Sequence, residues 1–129
     1  MLASKVTTKS LGDKGEERAL AYLLDRGWAV LERNYRVARG PGRRGAEIDL
    51  IMREPDGTVV FVEVRQRRTA AHGGAAASVS HAKQRACVWG AQHYLQRWAT
   101  WPPCRFDVIA IDGDHLQWLP AAFDASAAS

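Results

Sequence analysis

Two stretches decide the fold of this chain: Ala46-Glu47-Ile48-Asp49-Leu50-Ile51 and Val59-Val60-Phe61-Val62-Glu63-Val64-Arg65. Each stretch has the apolar residues of a buried β-strand and one acid in the middle of them. Asp49 lies among Ile, Leu and Met, and Glu63 is flanked by valines and a phenylalanine. A carboxylate in such a strand is costly unless a metal ion, another cation or a hydrogen-bond donor compensates it. Two of them on neighbouring strands predict a divalent-metal site.

The three residues Pro55-Asp56-Gly57 between these stretches predict a hairpin loop with a G1 bulge. That loop fixes the register, which places Asp49 opposite Glu63 and Glu47 opposite Arg65, all on one face. Opposed residues of this kind have Cβ atoms about 4.5–5.5 Å apart. Two carboxylates so close repel each other unless a cation lies between them. A shift of one residue would put Asp49 and Glu63 on different faces.

The composition predicts one globular domain, residues 10–124, with flexible ends at 1–9 and 125–129. The chain has 129 residues, of which 47% are hydrophobic and 25% charged, and these values exclude wholesale disorder. Cys87 and Cys104 lack the spacing of a zinc site or a disulfide framework, so we expect reduced thiols in a cytoplasmic protein. No apolar run approaches the ~20 residues that a membrane-spanning helix needs.

The pattern along the chain predicts alternating helices and strands. A capping box at Ser10 begins a helix that ends near Asp25, and Ser78 or Ser80 begins a second helix that ends near Trp98. Besides the two acidic strands, further strands are predicted at Trp28–Arg36, Arg105–Ile111 and His115–Leu119. This order is typical of an α/β fold, with a mixed β-sheet core flanked by helices in a single domain.

Glu16 lies on the edge of the inward face of the first helix. One interpretation is an acid in the first turn, which the helix dipole stabilises by a few tenths of a kcal/mol. The other is a third carboxylate directed at the metal site. Spacing alone leaves both open.

Positive charge is concentrated in two segments around the acidic strands. The net charge of +4 favours anionic partners, and arginine suits phosphate recognition. We expect the loop at 37–45 to contact a phosphate backbone. The side chains predicted to contact nucleic acid are Arg36, Arg39, Arg43, Arg44, Arg67, Arg68 and Lys83. Trp28, Trp89 and Trp98 fall at positions typical of a core, whereas Trp101 and Trp118 are open candidates for base stacking.

The oxygen ligands of Asp49 and Glu63 suit Mg²⁺ or Mn²⁺, and the main-chain carbonyl of Val64 is a candidate further ligand. Arg65 lies on the same face and is placed to neutralise charge on a phosphate. It cannot be a general base, because guanidinium stays protonated. The alternative is that Glu63 and Arg65 only pair with neighbours on a solvated sheet face.

Five motifs in order carry a resemblance to a known family. They are Gly15-Glu16 in a helix, Glu47-Ile48-Asp49-Leu50-Ile51, Phe61-Val62-Glu63-Val64-Arg65, Lys83-Gln84 and Arg105-Phe106-Asp107-Val108. Together they resemble the bacterial YraN family, which is similar to archaeal Holliday junction resolvases and to the restriction-endonuclease-like PD-(D/E)xK nucleases. The resemblance covers residues 12–112. It implies a restriction-endonuclease-like core, with Asp49, Glu63, Glu16 and Arg65 in the positions of the catalytic residues.

The main departure from that pattern is Arg65, which replaces the motif lysine. The hypothesis from the sequence is a Mg²⁺-dependent (or Mn²⁺-dependent) endonuclease acting on branched or structured DNA, and the resemblance also suggests a homodimer. The alternative is a DNA-binding module that keeps the nuclease fold without cleavage, and a protein-interaction subunit is a third option.

Overall fold

The computed structural model of the chain describes residues 8–67 and 79–128. Its elements, in chain order, are α1 (Thr8–Asp25), β1 (Ala29–Val37), β2 (Ala46–Arg53), β3 (Val59–Arg67), α2 (His81–Leu95), β4 (Cys104–Asp112), β5 (His115–Phe123) and a short 3₁₀ helix (Ala125–Ala128). None of the described helices has the length and hydropathy to cross a bilayer. The predicted α/β class is therefore confirmed over the described residues.

The five strands form one mixed sheet in the order β1-β2-β3-β4-β5. Neighbouring strands are antiparallel except β3 and β4, which run parallel. A parallel pair needs a long crossover, and the segment that contains α2 provides it. The sheet separates two helices, so the fold has three layers with a core on each side.

The two cores are divided according to the helix that covers them. On one face, Ile51 and Phe61 pack with the buried α2 residues Cys87, Val88, Ala91, Tyr94 and Leu95. On the other face, Met52, Val60 and Val62 pack with Ala19, Leu20 and Leu23 of α1. We call these the α2 core and the α1 core. Residues of β3 alternate between them, as the period of two requires.

The hairpin between β2 and β3 has the predicted register. Leu50 pairs with Val62 and Arg53 with Val59, and the N–H of Glu54 donates to the carbonyl of Thr58 at 2.9 Å. Gly57 has a φ of 94°, the left-handed conformation that glycine adopts without a steric penalty. The turn chemistry thus sets which residues of the two acidic strands face each other.

Three predicted boundaries differ from the structure. Helix α1 begins at Thr8, so Ser10 lies inside the helix and not at its cap. Helix α2 ends at Leu95 and not at Trp98, and its N-cap is Ser80, whose Oγ accepts from the N–H of Lys83 at 3.1 Å. Strand β5 extends to Phe123, whose ring stacks on Phe106 with centroids 5.1 Å apart. The alternative cap, Ser78, lies outside the described residues.

Candidate metal site and basic groove

Strands β2 and β3 part beyond the Leu50–Val62 pair, and the carboxylate of Asp49 lies where they part. The N–H of Val64 donates to Oδ2 of Asp49 at 2.8 Å. In a continued ladder this N–H would donate to the carbonyl of Ile48, so the side chain of Asp49 has taken the place of a main-chain acceptor. In an antiparallel pair of strands, the N–H and the C=O of one residue point to the same neighbouring strand. The carbonyl of Val64 therefore faces the same gap as Asp49.

The alternation of β2 side chains between the two sides of the sheet is interrupted at Asp49. Ile48 packs in the α2 core, whereas Leu50, two residues later, packs in the α1 core, although residues i and i+2 of a regular strand share a face. Opposite Asp49 on β1 lies Asn34, which has a φ of 51°. Asparagine is one of the few residues enriched in this left-handed region. We infer that this irregularity directs the Asp49 carboxylate into the gap between β2 and β3.

Glu63 is the least satisfied charged group in the described part of the chain. Its side chain is 0% exposed, and neither carboxylate oxygen has a hydrogen-bond partner of good geometry among the described residues. Burial, followed by the negative charge of Asp49, raises the pKa of Glu63 well above its ordinary value. Burial also raises the pKa of Asp49, against the opposing effect of the Val64 N–H. The two acids face each other, as predicted.

Two residues of α2 approach Glu63 from the helix side. Nζ of Lys83 lies 3.7 Å from Oε2 of Glu63, and the Cys87 thiol is buried nearby, with its pKa raised by burial and then by the charge of Glu63. The helix comes close because Gly90 has no side chain, since a Cβ there would meet Ile48 at 3.3 Å. Lys83 also lines the first cavity described below, and its predicted contact with nucleic acid stays a prediction.

Two adjoining cavities open from this point between α2 and the loop at 38–45. The first, of about 470 Å³, is lined by Arg44, Glu47, Arg65 and Lys83, among others. The second, of about 400 Å³, is lined by Arg39, Arg44, Ala82, Arg85, Ala86 and Trp89, among others. Because the two cavities share Arg44, Ala82 and Ala86, we treat them as one feature and call it the basic groove. The lining of its first part includes Lys83, which pairs with Glu63, but not Glu63 or Asp49.

The acids fit a hard divalent cation by their chemistry. Mg²⁺ and Mn²⁺ take one or two carboxylates and keep several waters, and the oxygens of Glu63 have unused acceptor capacity. No group of three or more His, Cys, Asp or Glu side chains suited to a metal ion occurs in residues 8–67 and 79–128. The protein ligands on which a cation would depend are therefore Asp49, Glu63 and the carbonyl of Val64.

Comparison with known proteins places this chain in a family. The pattern described as "Uncharacterised protein family UPF0102" matches residues 15–111. The chain belongs to the UPF0102 family. It is 65% identical to a UPF0102 protein of Methylibium petroleiphilum over 94% of this chain and 99% of that one, and 60% identical to one of an Acidovorax species over 93% and 89%. No solved structure matches. The resemblance to the YraN family inferred from the sequence is confirmed.

The structure of this UPF0102 protein separates Glu16 from Glu63. Glu16 is half-buried on α1, next to Gly15, which packs against Gln66 of β3. Helix α1 covers one face of the sheet, whereas Glu63 faces α2 on the other. Glu16 interacts with other residues, but it does not join Asp49 and Glu63 in a three-residue metal group. Its assignment as a metal ligand stays a prediction.

The other predicted nucleic-acid contacts are distributed unevenly. Arg36 pairs with Glu47 at 2.7 Å. Glu47 and Arg65 both line the first cavity, and their opposition across β2 and β3 stays a prediction. Arg43 is exposed in the loop at 38–45. Arg67 lies at the end of β3 beside Asp112, and its carbonyl accepts from the N–H of Gly113. Arg68 lies outside the described residues.

The core position expected for Trp89 differs from the structure. Trp89 lines the basic groove with Ala82 and Ala86, and the buried residues of α2 include its neighbours Val88 and Gly90. Trp89 is half-buried, with the guanidinium of Arg39 over its ring. The sequence did contain one sign of this groove face: Arg85 and Trp89 are four residues apart, and therefore lie on one face of the helix.

Asp107 forms a separate polar site at the far side of the sheet. Its carboxylate is fully buried and accepts from Nε of Arg105 at 3.0 Å, Nε1 of Trp118 at 2.9 Å and the N–H of Ala121 at 2.9 Å. Arg105 also donates to Glu54 at 2.9 Å. This network joins β4 to β5.

Proposed function

We propose that this UPF0102 protein is a divalent-metal-dependent endonuclease that acts on branched or structured DNA. One observation carries the proposal: a fully buried carboxylate, Glu63, has no hydrogen-bond partner of good geometry in the described residues and lies beside a second acid, Asp49. Burying such a pair without compensation is unfavourable. Selection for stability alone would replace it, so we infer that a bound cation compensates it.

Each residue at the site has a distinct part in the proposed reaction. Asp49, Glu63 and the carbonyl of Val64 would hold the ion, and the N–H of Val64 orients Asp49. A divalent ion held there supplies Lewis acidity towards a phosphodiester and an acidified water. Lys83 and Arg65 line the cavity beside Glu63 and stabilise the negative charge that develops on the phosphate.

DNA is the proposed substrate because of the charge of the groove. Four arginines and one lysine line it, with Glu47 as the acid among the lining residues. Arginine offers phosphate a planar fork of donors, and phosphate contacts supply most of the affinity of non-specific binding. Lys83 links this cationic groove to Glu63, and a phosphodiester held in the groove would therefore lie near the proposed metal site.

A DNA-binding protein without cleavage is the second candidate, and Lys83 favours it. The ammonium group of Lys83 lies 3.7 Å from Glu63 and partly compensates the acid without any metal. Arg65 stands where related nucleases have lysine, and it cannot accept a proton. In this case the acids and Lys83 would hold α2 against the sheet, and the groove would bind DNA only.

A cleavage assay separates the two candidates. Wild type, Asp49→Asn and the control Asp114→Asn would be incubated with four-way-junction and flap DNA in Mg²⁺ and in Mn²⁺. Asp114 makes the control because it has the same charge but is exposed in the β4–β5 turn. We expect cleavage by wild type and the control, and a loss of roughly 10³-fold or more in Asp49→Asn. Binding without cleavage in all three proteins would support the second candidate and reject the first.

A further inference from the structure

The distal part of the basic groove, away from the acids, has features that phosphate contacts alone do not explain. Trp89 presents its indole to the groove, and the guanidinium carbon of Arg39 lies 4.9 Å from the centroid of the ring. Nε of Arg39 is buried and has no hydrogen-bond partner among the described residues. A buried donor without a partner, beside an aromatic ring that lines a cavity, indicates that a polar, planar ligand belongs there.

The aromatic ring at this position is held rigidly. Its neighbour on the next helical turn is His93, with ring centroids 6.0 Å apart. Nδ1 of His93 is hydrogen-bonded to the hydroxyl of Tyr35 on β1 at 2.8 Å, and the Tyr35 ring packs edge-on against Tyr94 of the α2 core. A fixed aromatic surface loses little conformational entropy when a flat ligand stacks on it.

Space and charge around Trp89 also suit such a ligand. The helix face that leads to it carries Ala82 and Ala86, which are small, and Arg85 of the same helix also lines the cavity. The cavity of about 400 Å³ falls within the range of about 300–1,000 Å³ typical of sites for small molecules. Its charged lining residues are arginines, so the ligand that fits is anionic as well as flat.

We propose that this part of the groove binds an unpaired nucleotide, whose base takes the place of the Arg39 guanidinium over the Trp89 ring. Its flanking phosphates are held by Arg39, Arg44 and Arg85. Stacking on an aromatic side chain accepts any base, because every base has a π-face. The inference rests on the proposed function only in that both use the same groove. It adds a substrate class, a strand with a base outside the duplex, to a site otherwise defined by its acids.

The geometry relates this subsite to the acids. Lys83, which contacts Glu63, and Trp89 are six residues apart on one helix, a rise of about 9 Å. The two cavities join between them through Arg44. An unpaired base on Trp89 would therefore place a phosphate a short distance along the same strand beside Glu63. The proposed selectivity for branched or structured DNA would then come from the need for a base that is free to leave the stack.

Equilibrium binding in EDTA tests the proposal without involving cleavage. Labelled duplexes would carry one unpaired nucleotide, an abasic analogue at the same place, or neither, each in DNA and in RNA. We expect wild type to bind the unpaired nucleotide roughly 5-fold to 150-fold more tightly than the abasic analogue, as expected for stacking of one base. Trp89→Leu should lose this discrimination and Trp89→Phe should keep most of it. The control Leu24→Ala, at an exposed apolar residue of α1, should behave as wild type.

The outcomes distinguish this inference from the proposed function. Equal affinity of wild type for the unpaired and abasic duplexes, or unchanged discrimination in Trp89→Leu, would overturn the stacking subsite and leave the nuclease proposal intact. If Trp89→Leu is unfolded by circular dichroism, Arg39→Gln serves instead, and unchanged affinity for the unpaired nucleotide in that variant would overturn the subsite. Discrimination seen only with RNA would support the subsite and overturn DNA as the substrate.

Discussion

Two fully buried carboxylates, Glu63 and Asp107, lie on the neighbouring parallel strands β3 and β4. They are one residue apart in the register of the two strands, and they differ in their hydrogen-bond partners. Asp107 accepts hydrogen bonds from Arg105, Trp118 and the main chain at Ala121. Glu63 pairs across the β3–β4 ladder with Val108, the residue after Asp107. Its compensating charge is Lys83, at 3.7 Å. Both acids are 0% exposed.

Under the proposed function, the difference separates a structural acid, Asp107, from a metal ligand, Glu63. A buried polar group whose hydrogen bonds are complete contributes to a unique packing, and Asp107 has this character. A buried acid left with unused acceptors is unfavourable in the resting protein, and is retained where a ligand completes it. Burial alone would assign the two residues the same role, and their partners separate them.

The largest effect on stability should follow a change at Asp107. Asp107→Asn keeps the shape but removes the charge that three donors share, and it leaves Arg105 with Glu54 alone as an acidic partner. We expect the free energy of unfolding to fall by about 2–4 kcal/mol, measured by urea denaturation. A change smaller than about 0.5 kcal/mol would remove the contrast between the two acids.

Glu63→Gln should change stability in the opposite direction. Because the pKa of Glu63 is raised in the folded state, the folded protein binds its proton more tightly than the unfolded chain does. Without a divalent cation, wild type therefore loses stability as the pH rises from about 4.3 through the raised pKa. Glutamine does not titrate. We expect Glu63→Gln to be more stable than wild type in EDTA at pH 8, by roughly 1–3 kcal/mol.

The pH dependence provides the control for that measurement. The advantage of Glu63→Gln should shrink towards zero as the pH is lowered to about 4.5, where wild type is itself protonated at Glu63. Urea melts at pH 8 and pH 4.5 measure the change. The same advantage at both values would mean that Glu63 titrates normally, and it would contradict the account of its burial.

Lys83→Gln should raise the affinity for a divalent cation, an effect smaller than the stability changes expected at Asp107 and Glu63. A divalent cation carries twice the charge of the proton with which it competes, so removal of a nearby ammonium group favours the metal. We expect Mn²⁺ to bind roughly tenfold more tightly, while cleavage of junction DNA becomes slower. Unchanged Mn²⁺ affinity in calorimetry would show that Lys83 is too distant to affect the ion.

The smallest change should come from the loop arginines. Each phosphate contact contributes about one unit to the slope of log affinity against log salt. Arg44→Gln should lower that slope by about one unit for junction DNA, whereas Arg33→Gln, where Arg33 pairs with Glu17 on the α1 side, should leave it unchanged. Equal slopes in wild type and Arg44→Gln would place the DNA outside the basic groove.

Much of the fold followed from local chemistry in the sequence. Pro55-Asp56-Gly57 allows one tight turn, the turn sets the register, and the register brings Asp49 to Glu63. These steps depend on neighbours in the chain and on the period of a strand. The start of α1 did not follow, because the capping signal at Ser10 lies inside a helix that begins at Thr8.

The contributions of α2 to the site could not be obtained in this way. Whether Lys83 or Trp89 faces the core depends on how the helix is rotated about its axis, and its alanines and Gly90 allow more than one apolar stripe. The close contact of Gly90 with Ile48 fixes that rotation, and it is a tertiary contact between distant segments. An alternating hydrophobic pattern of period two likewise gives no sign that the inward and outward faces of the strand exchange at Asn34 and Asp49.

The central claim is that the two acids bind a divalent cation, and calorimetric titration of Mn²⁺ tests it most directly. Wild type, Asp49→Ala and the control Asp114→Asn would be titrated in the same buffer without DNA. The account predicts saturable heat with one ion per chain in wild type and in the control, and no saturable heat in Asp49→Ala. Equal heats in wild type and Asp49→Ala would contradict it.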